Sequence, residues 1–361
     1  MIELYVMDKN FEILAVIDDF ISLTWNPRFF GVGDWQLECG IKYFDVLQQA
    51  EYIGRNNDTE TGVVELGTLQ KDEIGAKNVL IKGHFIKQIL DTRAVHEQMN
   101  FTDKTVEDVI LSMIEEHFIK NKKFERFEVK RTGEVVEKLT TQITGGSVLE
   151  RIAKIEEEQE VSCVVEYDLI KDKILCSVKK GVNHSQDQQE NDWVVFSEEF
   201  ENIYDYEYTK VRQTKNFAYV AGAGEGKNRI IKTVDIRKSG ESLQELYVDA
   251  RDLQDTDDNG NTIPRDRYIK NLEQRGREKL AEYTEIQEIE AKVKTDGLLQ
   301  YKKHYNLGDF VDFVDQSKGI YATLRVIGVN EEIEEGEHRM ELIFGKERLN
   351  LKDTIKREVT Q

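Results

Sequence analysis

Cysteine is scarce and unpatterned in this chain. Cys39, Cys163 and Cys176 are an odd number without CxxC spacing, which argues against a disulfide framework and against a cysteine zinc site. They are expected as reduced core residues of a protein made in the cytosol. Long hydrophobic runs are missing too. No apolar stretch approaches the roughly 20 residues a bilayer-spanning helix requires, and the opening MIELYVMDKNFEI carries charges where a signal peptide needs an unbroken apolar segment. The expectation is a soluble chain that does not insert into a membrane and does not leave by the general secretion route. Positive charge is in deficit: 50 Lys and Arg stand against 70 Asp and Glu, a net charge of -20. Affinity for nucleic acid comes mainly from cations that neutralise phosphates, so stable DNA binding is not expected. The acidity serves solubility, or a surface along which DNA slides without sticking.

Catalytic signatures are absent as well. There is no GxSxG and no HExxH, and His84, His96, His117, His184, His304 and His338 show no i,i+4 pair. Acidic neighbours such as Glu115-Glu116 and Glu334-Glu335 are ordinary in so acidic a chain and do not indicate a glycosidase pair. Gly222, Gly224 and Gly226 follow a strand but lead into another strand rather than a helix. A phosphate cradle needs a helix N-terminus there, so a hairpin turn is expected. Asp255, Asp257, Asn259, Gly260 and Asn261 resemble an EF-hand loop, yet its twelfth position is the short Asp266 and Pro264 lies inside it. An acidic turn is expected, with no structural calcium. No catalytic, cofactor-binding or metal-binding residue is therefore assigned.

What is present is strand pattern. Ile2, Leu4 and Val6, a turn at Asp8-Lys9-Asn10, then Phe11 and Ile13 spell a hairpin. Short strands continue to Gly83, with one helical turn between Phe85 and Leu90, so residues 1–95 read as a mainly β domain. The period then changes. Val106, Val109, Ile110, Met113, Ile114 and Phe118 share a helix face behind Thr105, and a second helix opens at Ser147 with Glu150 at the capping-box position. The strands SCVVEYD and KILCSVK follow. Residues 96–192 read as an inserted α/β domain ending in the polar segment 183–192. From Trp193 the β pattern returns through 193–361, interrupted by one long helix at about 264–283 behind Pro264. Ile269, Leu272, Gly276, Leu280 and Tyr283 lie on one side of it, and Gly276 implies close approach of another backbone. Met340, Leu342 and Phe344 alternate in the last strand. The fold class is α+β, mainly β.

Several blocks occur in one order along the chain: Trp25-Asn26-Pro27-Arg28 with Gly33-Asp34-Trp35-Gln36-Leu37; Ile81 to Arg93 through Gly83 and Leu90; Gly224-Glu225-Gly226 with Arg229; Tyr247 to Leu253; Leu272 with Arg275, Gly276 and Leu280; and Asn306 to Phe344-Gly345 with Arg325 mid-strand. In this order they resemble the baseplate hub, or tail-tip hub, proteins of long-tailed phages and of prophages of Gram-positive bacteria. Residues 96–192 carry no such block.

That resemblance implies a structural virion protein rather than an enzyme. It implies two β-barrel hub domains per chain, 1–95 and 193–361, and a homotrimeric ring that continues the tail tube. The partners it implies are the distal tail protein ring, the tape-measure protein, which passes through the lumen with the DNA, and tail fibre or spike proteins. The place is the virion tail tip, after assembly in the host cytoplasm. A receptor-binding protein that takes host carbohydrate through exposed aromatics, or a cell-wall-degrading protein, stays open as an alternative.

Overall fold

The computed structural model describes residues 2–71, 77–120, 126–211, 214–226, 229–253, 256, 262–283, 286–334 and 336–345. It is mainly β, as the periodicities predict. The N-terminal part begins with the expected hairpin, β1 (Leu4–Met7) and β2 (Ile13–Ile17), turned by Asp8, whose carboxylate accepts the Asn10 and Glu12 backbone N–H at 2.7 and 2.9 Å. It continues through β3 (Ser22–Asn26), β4 (Asp34–Gly40), the short α1 (Phe44–Leu47), β5 (Tyr52–Arg55), β6 (Thr61–Val63), β7 (Leu66–Lys71) and β8 (Lys77–His84). A sheet of order β2-β1-β5-β6 covers β3, β4 and β8. Leu4, Val6, Leu23, Trp25, Trp35, Leu37, Ile53 and Ile81 fill the space between them.

The middle of the chain holds β9 (Met99–Thr105), α2 (Val106–Ile114), β10 (Phe127–Val129), β11 (Lys138–Ile143), α3 (Val148–Gln159), β12 (Ser162–Asp168) and β13 (Lys173–Lys179). Both helices start where capping chemistry places them. Thr105 accepts the Asp108 N–H at 3.1 Å, and Ser147 and Glu150 form a complete capping box. The expected order of two helices and two strands misses β9, β10 and β11. Only their tertiary partners reveal them: β9 and β11 pair with each other and the three-residue β10 lies parallel to β13. Past α2 the chain runs on as a π-helical turn, Glu115–Lys120, which buries His117 and Phe118.

The C-terminal part contains β14 (Val195–Ser197), β15 (Ile203–Val211), β16 (Phe217–Ala221), β17 (Ile231–Asp235), β18 (Glu245–Asp249), α4 (Arg265–Ala281), β19 (Ile286–Val293), β20 (Phe310–Asp315), β21 (Ile320–Glu334) and β22 (Glu337–Gly345). α4 starts directly behind Pro264, whose carbonyl accepts the Arg267 and Tyr268 N–H. With the sheet β17-β16-β18 it builds its own core around Val220, Val248, Tyr268, Leu272 and Leu280. Gly276 sits in that contact. A Cβ there would lie 2.6 Å from Val234 Cγ2 and 2.7 Å from Val220 Cγ2, so the close approach expected at Gly276 is to valine side chains rather than to a backbone.

The two parts share one sheet. Eight strands run in the order β15-β19-β22-β21-β3-β4-β8-β7, with β20 and β14 attached beside β21. The joint is the antiparallel β21–β3 ladder, Glu331 opposite Trp25 and Ile333 opposite Leu23. Among the described residues no sheet closes on itself, so the single chain does not form the two closed barrels expected. The reason lies in β21. Its first residues pair with β20, and the rest pair with β22 on one side and β3 on the other, which extends the sheet instead of folding it back.

Candidate functional site: an acidic sheet face with two free edges

The strands of the eight-strand path other than β7 have one mainly apolar and one mainly polar side, as period-2 alternation requires, and β7 is exposed on both. Trp35, Leu37 and Cys39 point into the N-terminal core, and Met340, Leu342 and Phe344 into the C-terminal one. The opposite side of the path is polar and largely solvent-facing, with Glu288 of β19 and Ile343 of β22 buried on it. Register places Asp34 and Glu38 of β4, Asp205 and Glu207 of β15, Glu290 of β19, Glu332 and Glu334 of β21, and Glu337 and Glu341 of β22 there. Four cations share it: Lys82 of β8, Lys292 of β19, Arg339 of β22 and Arg28, which reaches across Gly328 to Asn330 beside Glu341. Nine exposed or half-exposed carboxylates less four cations leave a surplus of five negative charges. Two of the cations are engaged by acids of the same face, Lys292 with Asp205 at 2.9 Å and Arg339 with Glu337 at 2.5 Å.

Among the described residues the path ends in strands paired on one side only. Among the described residues β7 pairs only with β8, and β15 only with β19. All six residues of β7 are exposed, including Leu66 and Leu69. Free edges of this kind are templates for another chain.

Of the blocks singled out in the sequence, those at Trp25 to Arg28 and Asn306 to Gly345 meet at the seam between the two halves, while those around Arg229, Tyr247 and Leu272 build the sheet β17-β16-β18 with α4. Trp25 donates its indole N–H to Asp58 at 2.9 Å. Arg28 donates to the Val329 carbonyl and to Asn330 Oδ1, at 2.9 and 2.7 Å. Arg325 is buried, stacked over Phe310 and Phe29 with 4.1 and 4.8 Å to the ring centroids, and donates to the Gly308 carbonyl. Arg229 and Arg275 hold Asp249 and Asp252 around β18. These residues are structural clamps.

A cavity of about 930 Å³ opens where the N-terminal, middle and C-terminal segments meet, lined among others by Asn57, Lys87, Glu166, Lys179 and Lys302. Beneath it Glu156 is fully buried and accepts from Lys87 Nζ and the Cys163 N–H at 2.5 Å and from the Gly31 N–H at 3.1 Å. Desolvation raises its carboxyl above the ordinary range against the pull of Lys87. The pair fastens α3 to the N-terminal part.

The remaining candidates resolve as follows. Gly222 to Gly226 turn the β16–β17 hairpin: Gly222 donates to the Ile230 carbonyl and Ile230 to the Ala223 carbonyl. Of the EF-hand-like loop, Asp255, Asp257, Asn259, Gly260 and Asn261 lie outside the described residues, and so does Glu335. Glu115 is paired with Arg131 at 2.9 Å. The fold brings His96 and His117 together, with ring centroids 6.0 Å apart, and His117 donates through Nδ1 to the Met113 carbonyl. Among the described residues no three His, Cys, Asp or Glu side chains converge to hold a metal. The three cysteines are free and buried, and burial pushes the Cys39 and Cys163 thiols up to about 12. Sequence reading missed the acidic face, because its members alternate along strands drawn from both ends of the chain.

A family model described as Siphovirus ReqiPepy6 Gp37-like protein matches residues 3–346. No curated protein matches the chain in sequence. In fold the chain is similar to the tail protein from Neisseria meningitidis MC58, at 11% identity over 96% of this chain and 97% of that one, with a TM-score of 0.59. It is similar to the 43 kDa tail protein of prophage MuSo2 from Shewanella oneidensis, at 12% identity over 95% and 97% of the two chains, with a TM-score of 0.57. It is also similar to the prophage tail protein gp18 from Listeria monocytogenes EGD-e, at 12% identity over 99% and 98%, with a TM-score of 0.55.

Proposed function

The chain belongs to the Siphovirus ReqiPepy6 Gp37-like family of phage tail proteins, and from that premise we propose that three copies close into the hub ring of a phage baseplate or tail tip. The observation that carries this reading is the eight-strand path whose end strands, β7 and β15, are each paired on one side only among the described residues. Joining β7 of one copy to β15 of the next satisfies both edges without a new fold, and a head-to-tail contact of this kind closes into a ring when the rotation permits. Three copies of eight strands make a wall of twenty-four. At about 4.8 Å between strands and a tilt of about 40°, such a wall is roughly 50 Å across between backbones. Each half of the path, four strands over their own core, is then the single-chain share of a barrel-like hub domain that its neighbours complete.

The acidic face lines the lumen in this arrangement. A polyanion meets repulsion along the wall instead of phosphate-binding cations, so it passes without being held. The ring stacks on the distal tail protein ring, passes the tape-measure protein and then the genome, and carries tail fibre or spike proteins. It is assembled in the host cytoplasm and sits at the tail tip of the virion. Light scattering at micromolar concentration and physiological salt tests the reading. A mass three times that of the 42.0 kDa chain supports it, and a stable single-chain mass contradicts it. The role is structural, without catalysis; release of sugar or peptide from peptidoglycan by the pure chain would contradict that part.

A further inference from the structure

Among the described residues the sheet β17-β16-β18 carries α4 on one side only. Its other side is open, and its rows are set by register: Thr233, Tyr219 and Tyr247 lie abreast, flanked by the rows Asp235–Phe217–Glu245 and Ile231–Ala221–Asp249. Tyr219 is 37% exposed and Tyr247 59%, in strands side by side. Their hydroxyls are tied down within the face. Tyr219 donates to Glu245 Oε1 at 3.1 Å, and Arg229 donates to the Tyr247 hydroxyl at 3.1 Å. Two rings held in place lose little freedom when something settles on them.

Charge on this face is balanced. Asp235 is paired with Arg237, and Asp249 with both Arg229 and Arg251, while Glu245 holds Tyr219. Three guanidinium groups stand with three carboxylates, in a chain whose net charge is -20. A neutral, aromatic, hydrogen-bond-rich plane suits a neutral ligand better than a polyanion or another strongly acidic surface. Sugar rings have that chemistry: apolar C–H faces that stack on aromatic rings, and rims of hydroxyls that bond to planar carboxylate and guanidinium groups with lone pairs and N–H to spare.

We propose that the open face of β16, β17 and β18 is a binding site for a neutral oligosaccharide, stacked on Tyr219 and Tyr247 and hydrogen-bonded at its rim by Glu245, Asp249 and Arg229. The sheet is inserted between β15 and β19, off the eight-strand path. Occupancy therefore leaves the ring-closing edges β7 and β15 untouched, and the site does not depend on ring closure.

Titration of the full chain with neutral oligosaccharides of glucose, galactose and N-acetylglucosamine, read by ligand-observed NMR, tests the site. At least one should bind, at least tenfold more weakly to the Tyr219→Ala/Tyr247→Ala variant and unchanged to Tyr321→Ala, a control at an exposed tyrosine outside this sheet. If the double variant does not fold, Tyr247→Ala alone decides by the same criterion. Binding by none of the sugars, or equal binding by wild type and variant, overturns the proposal. So does a double variant that loses a trimeric mass the wild type has, which would make the face a contact between copies. A wild-type chain that is monomeric yet binds sugar contradicts the ring and leaves this site standing.

Discussion

Arg55 and Glu331 form a bidentate ion pair, at 2.6 and 2.8 Å, between residues 276 positions apart, with side chains only 4% and 5% exposed. His338 adds a third contact to the carboxylate at 2.7 Å, and the Trp25 ring lies beneath the guanidinium. The pair locks β5 of the N-terminal part to β21 of the C-terminal part. Removing one partner leaves a buried charge without compensation, so Glu331→Gln should cost about 3–5 kcal/mol in a denaturant melt. Replacing both at once, as Arg55→Met with Glu331→Leu, should cost clearly less than the single changes together.

The same pair sets an acid limit. Burial alone would raise the Glu331 carboxyl, but hydrogen bonds from His338 and Arg55 outweigh it and hold the pKa at about 2, below the ordinary 4.5. A depressed folded-state value means stability that is present above pH 4.5 and is lost as pH falls toward 2. Wild type should lose more melting temperature than Glu331→Gln across that window; parallel curves would show that the carboxylate contributes nothing.

Gly276 should resist the usual helix improvement. Gly→Ala inside a helix ordinarily gains about 1 kcal/mol. Here the new methyl meets Val220 and Val234 at 2.7 and 2.6 Å, and overpacking costs about 1–3 kcal/mol. Gly276→Ala should therefore destabilise, and Val234→Ala in the same chain should return part of the loss. A gain in stability on Gly276→Ala would mean that α4 does not lie this close to the sheet.

The edges β7 and β15 can be tested without disturbing the cores. Thr68→Lys with Tyr204→Lys puts like charges on the two strands that meet in the ring. The variant should shift toward single-chain mass, while its stability stays within about 0.5 kcal/mol of wild type, as for surface changes generally. An unchanged oligomer would place the contact elsewhere.

Much of the local structure was legible in the sequence, because it rests on short-range chemistry. Ser147 with Glu150 announces α3, Gly222 to Gly226 a hairpin turn, and Met340, Leu342 and Phe344 the inward side of β22. The joint between the halves was not legible. Pairing of Trp25 with Glu331 leaves no local trace, and β21 reads as an ordinary strand although it serves three neighbours. The acidic face stayed hidden for the same reason. Glu38, Glu207, Glu290 and Glu332 look like scattered surface charge until register sets them side by side.

The charge of that face has a direct consequence for DNA. Wild type should show no micromolar binding to duplex DNA in a gel shift at low salt. Glu332→Lys/Glu334→Lys/Glu341→Lys reverses three charges on adjacent strands and should bind, with an affinity that falls steeply with salt at a log–log slope of about -0.9 per phosphate contacted. Binding by the wild type would point to a DNA-gripping role.

Ring closure through β7 and β15 is tested most directly by electron microscopy of the purified protein. Class averages should show a threefold ring around an open lumen, and a map should resolve β7 of each copy hydrogen-bonded to β15 of the next, with Glu332 and Glu334 on the lumen wall. Single globular particles, or a ring in which these two strands stay apart or the acidic face points outward, would contradict it.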